Sequence, residues 1–204
     1  MRRRHRVLYV SLLGRVLVKH TLTAILLFLA HPLHAQDHPY VRFEKNFNRM
    51  MDKYDWGHHD KGSRKLLCRA IWDGSKKNYK VAAYAAGIGC MESHYTREER
   101  GISYEKTRGY LGTHNGTLIA ELRRLHLSKG RDRARVLKDL ERYPIYATWL
   151  GASRWSYICE FYGFRVGLYQ WVWGEAWRTN AKKRKLCHEY ADGVEYIYRK
   201  YYKE

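Results

Sequence analysis

Residues 79–95 read Tyr-Lys-Val-Ala-Ala-Tyr-Ala-Ala-Gly-Ile-Gly-Cys-Met-Glu-Ser-His-Tyr. Asn78 stands in front as a helix cap, and the stretch has almost no charge until Glu92. Val81, Ala82, Ala83, Ala85, Ala86, Gly87, Ile88 and Gly89 offer little polar face to water, so the stretch reads as a buried helix with its neighbours packed close to the backbone. A carboxyl at the end of such a helix needs a partner or a task. Beside apolar walls its pKa rises, and a protonated carboxyl near neutral pH is what a general acid requires. The competing reading is a glutamate that simply emerges into solvent where the helix stops.

The surrounding pattern is helical nearly throughout. Residues 41–56 place Phe43, Phe47, Met50, Met51 and Tyr54 at helical spacing. Residues 57–62 read as a loop, after which Ser63 caps a short helix with Leu66, Leu67, Ala70 and Ile71 inward. Beyond Glu92 the chain turns polar, and Ser103 opens a short helical stretch that stops near Gly109 and Gly112. Two amphipathic basic helices are expected over 115–127 and 131–143, ended by Pro144. An aromatic segment at 154–162, a Gly- and Trp-rich segment at 163–177 and a closing helix over 181–202 complete the chain. The fold class is therefore mainly α, with no run of strands.

The chain of 204 residues opens with a strongly basic start, then a ten-residue apolar run at 21–30 and a Pro32 break before Ala35. Such an order describes a secretory signal peptide, here 1–35, followed by a single domain over 36–204 in an exported protein, periplasmic or secreted. Ten apolar residues are too few to span a bilayer. Taking away the six Lys and Arg of 1–35 leaves 33 basic against 20 acidic residues, a charge of about +13. That charge favours a polyanionic partner such as nucleic acid, anionic lipid or a bacterial wall. Export makes nucleic acid the less expected of these. Cys68, Cys90, Cys159 and Cys187 are an even count in an exported chain, which suggests two disulfides. A Cys90–Cys159 bond would tie the glutamate helix to the aromatic segment, leaving Cys68 to pair with Cys187. The spacings lack Cys-x-x-Cys, and His58-His59-Asp60 reads as a surface turn, so neither metal nor cofactor is expected.

Glu92-Ser93 at a helix end, Tyr95 just after, and Gly167-Leu168-Tyr169-Gln170 downstream together resemble the lysozyme superfamily. There a helix-terminal Glu is followed by a Gly-x-x-Gln segment in the substrate cleft. Soluble lytic transglycosylases carry Glu-Ser and a following aromatic. Family-19 chitinase-like phage lysozymes carry a second Glu and a Tyr-Ser helix start, which Glu98-Glu99 and Ile102-Ser103-Tyr104-Glu105 resemble. The likeness spans about 78–178 and implies a lysozyme-like helical domain that cleaves β-1,4 bonds of peptidoglycan glycan strands as a monomer. It implies Glu92 as general acid. An inverting enzyme also needs a second carboxylate to activate water, Glu99 or its neighbour Glu98. Sugar rings have flat apolar faces and polar rims, so Ser93, Tyr95, Tyr104, Tyr169, Gln170 and Trp171 are the candidate substrate contacts. The rival from another class is a non-catalytic exported basic protein that binds the anionic cell-wall surface or another polyanion.

Overall fold

The computed structural model describes residues 38–55, 58–95, 107–128, 130 and 132–203. The expected leader, along with Glu98, Glu99, Ser103 and Tyr104, lies outside the described residues. The described elements run α1 (Pro39–Tyr54), α2 (Lys61–Gly74), α3 (Tyr79–Glu92), β1 (Thr107–Arg108), β2 (Thr113–His114), α4 (Asn115–Arg124), α5 (Arg133–Arg142), α6 (Pro144–Trp173), α7 (Ala176–Thr179) and α8 (Ala181–Tyr201). The architecture is mainly α, as the periodicity requires.

Helix starts follow side-chain capping. Asn78 accepts the Val81 amide, Asp132 that of Arg135, and Asn180 that of Lys183. Asp60, rather than Ser63, caps α2: its carboxylate accepts the Ser63 amide at 2.6 Å. Pro144 ends α5 and occupies the first turn of α6, where a missing N–H is harmless. The Gly- and Trp-rich segment expected after 163 continues α6 as a second helical run. Gly163, at φ 70° and ψ −176°, breaks the helix between the two.

Every residue of α3 from Val81 to Cys90 is buried. Its side chains are so small that α8 lies directly on its backbone: a Cβ added to Gly87 would sit 3.1 Å from Val194. On the other sides, Trp155 of α6 donates its indole N–H to the Val81 carbonyl at 3.1 Å. From α1, Asn46 donates to the Tyr79 hydroxyl, which donates in turn to the Tyr202 carbonyl. Phe43, Phe47, Met50, Met51, Leu67, Ile71, Tyr84, Trp155, Val194 and Tyr202 close the main core. A smaller core of Leu118, Leu122, Val136, Leu140, Ala147 and Leu150 joins α4 and α5 to the first half of α6. Both cores lie wholly inside the compact unit Pro39–Glu204. No described helix is long and apolar enough to cross a membrane.

Two expectations are corrected. Residues 107–114 form an antiparallel hairpin, with Thr107 opposite His114 and Arg108 opposite Thr113, not the end of a helix. The cause is the pair Gly109 and Gly112, both at positive φ (73° and 58°), which closes a tight turn. The Cys90–Cys159 and Cys68–Cys187 bonds are also absent, since all four cysteines are free thiols outside bonding distance. Each is held elsewhere: Cys68 pairs with the Tyr40 hydroxyl, Cys187 points at the Tyr169 carbonyl, Cys90 is enclosed by the main core, and Cys159 lies beside Lys80 and Glu160.

Burial pushes the Cys68, Cys90 and Cys159 thiols up, and likewise the phenols of Tyr95 and Tyr202. The unfolded chain releases these protons from about pH 8.5 for thiols and about pH 10 for phenols, whereas the folded chain keeps them. The contribution is therefore complete below about pH 8.5 and is lost as pH rises above it. Urea midpoints should hold from neutral pH to about pH 8 and fall between there and about pH 10. A thiol reagent should count four cysteines after unfolding in the absence of reductant and react only slowly before it. Mass shifts showing two reducible bonds would contradict this.

Candidate functional site

Glu92 ends α3 half-exposed, and its setting follows from how the helix is stopped. The Ser93 amide bonds back to the Gly89 carbonyl at 3.2 Å. The Ser93 hydroxyl donates to the Tyr110 carbonyl at 2.8 Å and accepts the Tyr95 amide at 3.1 Å. His94 and Tyr95 then adopt left-handed φ values of 48° and 57°, which folds the chain back under the helix. Tyr95 is completely buried: its ring lies against Gly89 and edge-on to Phe47, and its hydroxyl donates to the Ala86 carbonyl at 2.6 Å. Ser93 and Tyr95, expected as substrate contacts, thus serve here to hold the turn that presents Glu92.

The hairpin turn is the wall beside the carboxylate. Tyr110 donates its amide to Thr148, whose hydroxyl donates to the Pro144 carbonyl, so the hairpin is fixed to the start of α6. A Cβ on Gly109 would come within 2.8 Å of the Thr148 nitrogen. A Cβ on Gly112 would come within 3.0 Å of the Glu92 Cβ and 3.4 Å of its Oε2. The opposite side is Tyr190 of α8. Its hydroxyl is fully buried, and burial first, then the Glu92 charge, drives its pKa well above the ordinary phenol value. Tyr190 therefore remains a protonated donor beside the Glu92 carboxyl.

Behind the hairpin stands a cluster the sequence does not announce. Asp55, buried, accepts from the His59 amide at 2.9 Å, pairs with the His59 Nδ1 at 2.7 Å, and accepts from the Arg64 Nε at 3.0 Å. The His59 ring packs edge-on to Tyr110, with centroids 4.9 Å apart. Asp55 and His59 both lie in the connection between α1 and α2, so neither helical nor strand periodicity links them; only the spacing of four was visible. His58 is exposed and Asp60 is the cap of α2, so the His-His-Asp triplet separates into three roles. Among the described residues no group of three or more His, Cys, Asp or Glu could hold a metal ion.

The Gly167–Gln170 stretch is placed on the second half of α6. Tyr169 shares its hydroxyl with the His188 Nδ1 at 2.8 Å and with the Arg165 Nε at 3.0 Å. Gln170 donates to Glu175 at 2.9 Å, and half-buried Trp171 lies edge-on to Trp155. The polar partners of Tyr169 and Gln170 are thus Arg165, His188 and Glu175, and Glu92 is not one of them. The residues brought to Glu92 are Gly112, Tyr190 and, through Ser93, the Tyr110 backbone. Sequence reasoning passed over Gly112 and Tyr190; the glycines at 109 and 112 were the available signal for a turn.

No protein-family model matches this chain, and no curated protein and no solved structure is significantly similar to it.

Gly112→Ala tests the wall. The change adds left-handed strain and a methyl against Glu92, so stability should fall by about 1–3 kcal/mol. Gly130→Ala, where φ is 67° but no atom lies within 4 Å, is the strain-only control and should fall less. Equal urea midpoints for the two variants would mean that the Glu92 contact contributes nothing.

Proposed function

We propose that the chain is a lysozyme-like, peptidoglycan-cleaving enzyme, exported by its leader and acting on β-1,4 glycosidic bonds with Glu92 as general acid. The observation that carries the reading is the carboxyl of Glu92, half-exposed at the end of a buried helix, between the Gly112 turn and the Tyr190 phenol. The helix side of the carboxyl is packed, and its exposed side leaves room for a leaving oxygen. The basic charge of the expected mature chain suits an anionic wall.

In this reaction the Glu92 proton passes to the glycosidic oxygen as the C–O bond breaks and positive charge develops at the anomeric carbon. The resulting Glu92 carboxylate stabilises that charge and can take a proton back from the incoming nucleophile. A hydrolase delivers water, positioned by Glu99 or Glu98. A lytic transglycosylase uses the muramoyl 6-hydroxyl of the substrate itself, and then one glutamate suffices. Tyr190, buried beside the Glu92 carboxyl, bounds the side opposite the hairpin. The Ser93 bond to Tyr110 keeps the hairpin at a constant distance from the acid.

Glu92→Gln keeps the shape and cannot donate the proton. Turnover of purified peptidoglycan should fall by about 100-fold or more. Near-wild-type cleavage by this variant would remove Glu92 as the acid, and no cleavage by the wild type would leave the rival, a non-catalytic wall-binding protein. Glu98→Gln and Glu99→Gln, made singly, decide the branch. Loss of activity in one of them with reducing-sugar products marks a hydrolase. Retained activity in both, with 1,6-anhydro products by mass analysis, marks a transglycosylase.

A further inference from the structure

We propose that the corner where α6 breaks at Gly163 docks the protein onto an anionic lipid surface. Phe161 is the most exposed large apolar side chain among the described residues, at 66%, and Tyr162 beside it is 40% exposed. Both precede Gly163, whose left-handed backbone ends the first half of the helix; a Cβ there would meet no atom within 4 Å, so the break points outward. The two aromatics thus stand at an outward apex.

The cations around the apex give the surface its sign. The α2–α3 turn packs against this part of α6: Lys76 pairs with Glu160, and the Lys80 ammonium lies 4.4 Å over the Phe164 ring. Tyr157 packs on Phe161 with centroids 4.6 Å apart, and the Arg154 guanidinium lies 5.0 Å over Tyr157. Arg124 lies over the same ring but is neutralised by buried Glu121, as Lys76 is by Glu160. Lys77, Lys80 and Arg154 have no carboxylate partner among the described residues and leave the corner basic. Long lysine stems can lie along the aromatic apex while their ammonium groups reach lipid phosphates. Aromatic rings with basic neighbours suit the boundary between headgroups and acyl chains. A polyanion without ring faces would satisfy the cations but leave the Phe161 ring in water, whereas an anionic lipid surface takes up both; single-stranded DNA, whose bases can stack on the ring, is the outcome the test must separate.

The surface is remote in its contacts from Glu92, so it is separable from the catalytic reading. The full chain is the test protein, and the apolar run at 21–30 is common to every variant compared. Co-sedimentation is measured with phosphatidylglycerol–phosphatidylcholine vesicles and with pure phosphatidylcholine vesicles. The mixed vesicles should bind at least about tenfold more tightly, and less so as salt is raised. The double variant Phe161→Ser/Tyr162→Ser should lose about tenfold or more, as should Lys77→Gln/Lys80→Gln. Both should keep the wild-type melting temperature. Glu92→Gln should bind vesicles as wild type does, and the apex variant should cleave soluble glycan fragments at the wild-type rate, so either reading can fail alone. Undiminished vesicle binding by the apex variant, or no preference for the anionic vesicles, overturns the proposal. So does single-stranded DNA binding that depends on Phe161 in a protein that leaves vesicles alone.

Discussion

The packing of α8 onto the bare backbone of α3 is what the remaining geometry depends on. Ten consecutive residues of α3 are buried, and most are alanine or glycine, so neighbouring helices approach it more closely than larger side chains would allow. The same closeness leaves no space for a polar side chain along its length. The first position at which α3 can carry a carboxyl is therefore its end, where the helix leaves the core. Aromatic residues fill what the small ones leave open: Tyr84 packs between Trp155, Phe164 and Tyr198, and thereby connects α3 to both halves of α6 and to α8.

From that fixed helix end the site is assembled by backbone contacts more than by side-chain pairs. Ser93 spends its hydroxyl on one carbonyl of the hairpin and one amide of its own turn. The hairpin in turn rests on Thr148 and Pro144. The result is a carboxyl whose two flanks come from elements far apart in sequence, Gly112 and Tyr190.

Two buried carboxylates away from Glu92 are matched by cations. Glu121, with a fully buried side chain, is matched by Arg124 and by the Ser153 hydroxyl; Asp55 is matched by Arg64 and His59. An uncompensated carboxylate would be strongly destabilising at either place. The first pair takes Arg124, one of the cations of the basic helix α4. At the corner around Gly163 unpaired cations meet exposed aromatic surface.

The sequence by itself determined the helical class, the buried glutamate helix with its Asn78 cap, the break at Pro144 and the closing helix. Each is written in local signals: apolar period, capping residue or imino ring. Tertiary structure decided what stands beside Glu92. Pairing of Thr107 with His114, and the approach of Gly112 and Tyr190, arise from long-range packing against α6 and α8 that no local period encodes. The same holds for the cysteines, whose even count suggested bonds. Their positions on packed helices are set by the apolar faces those helices bury, and these faces point the four thiols at different neighbours. Gly167–Gln170 looked like a cleft segment in order of motifs alone. Its place on the second half of α6, turned toward His188 and Glu175, follows from the break at Gly163, a conformation fixed only once both halves of the helix have found their packing partners.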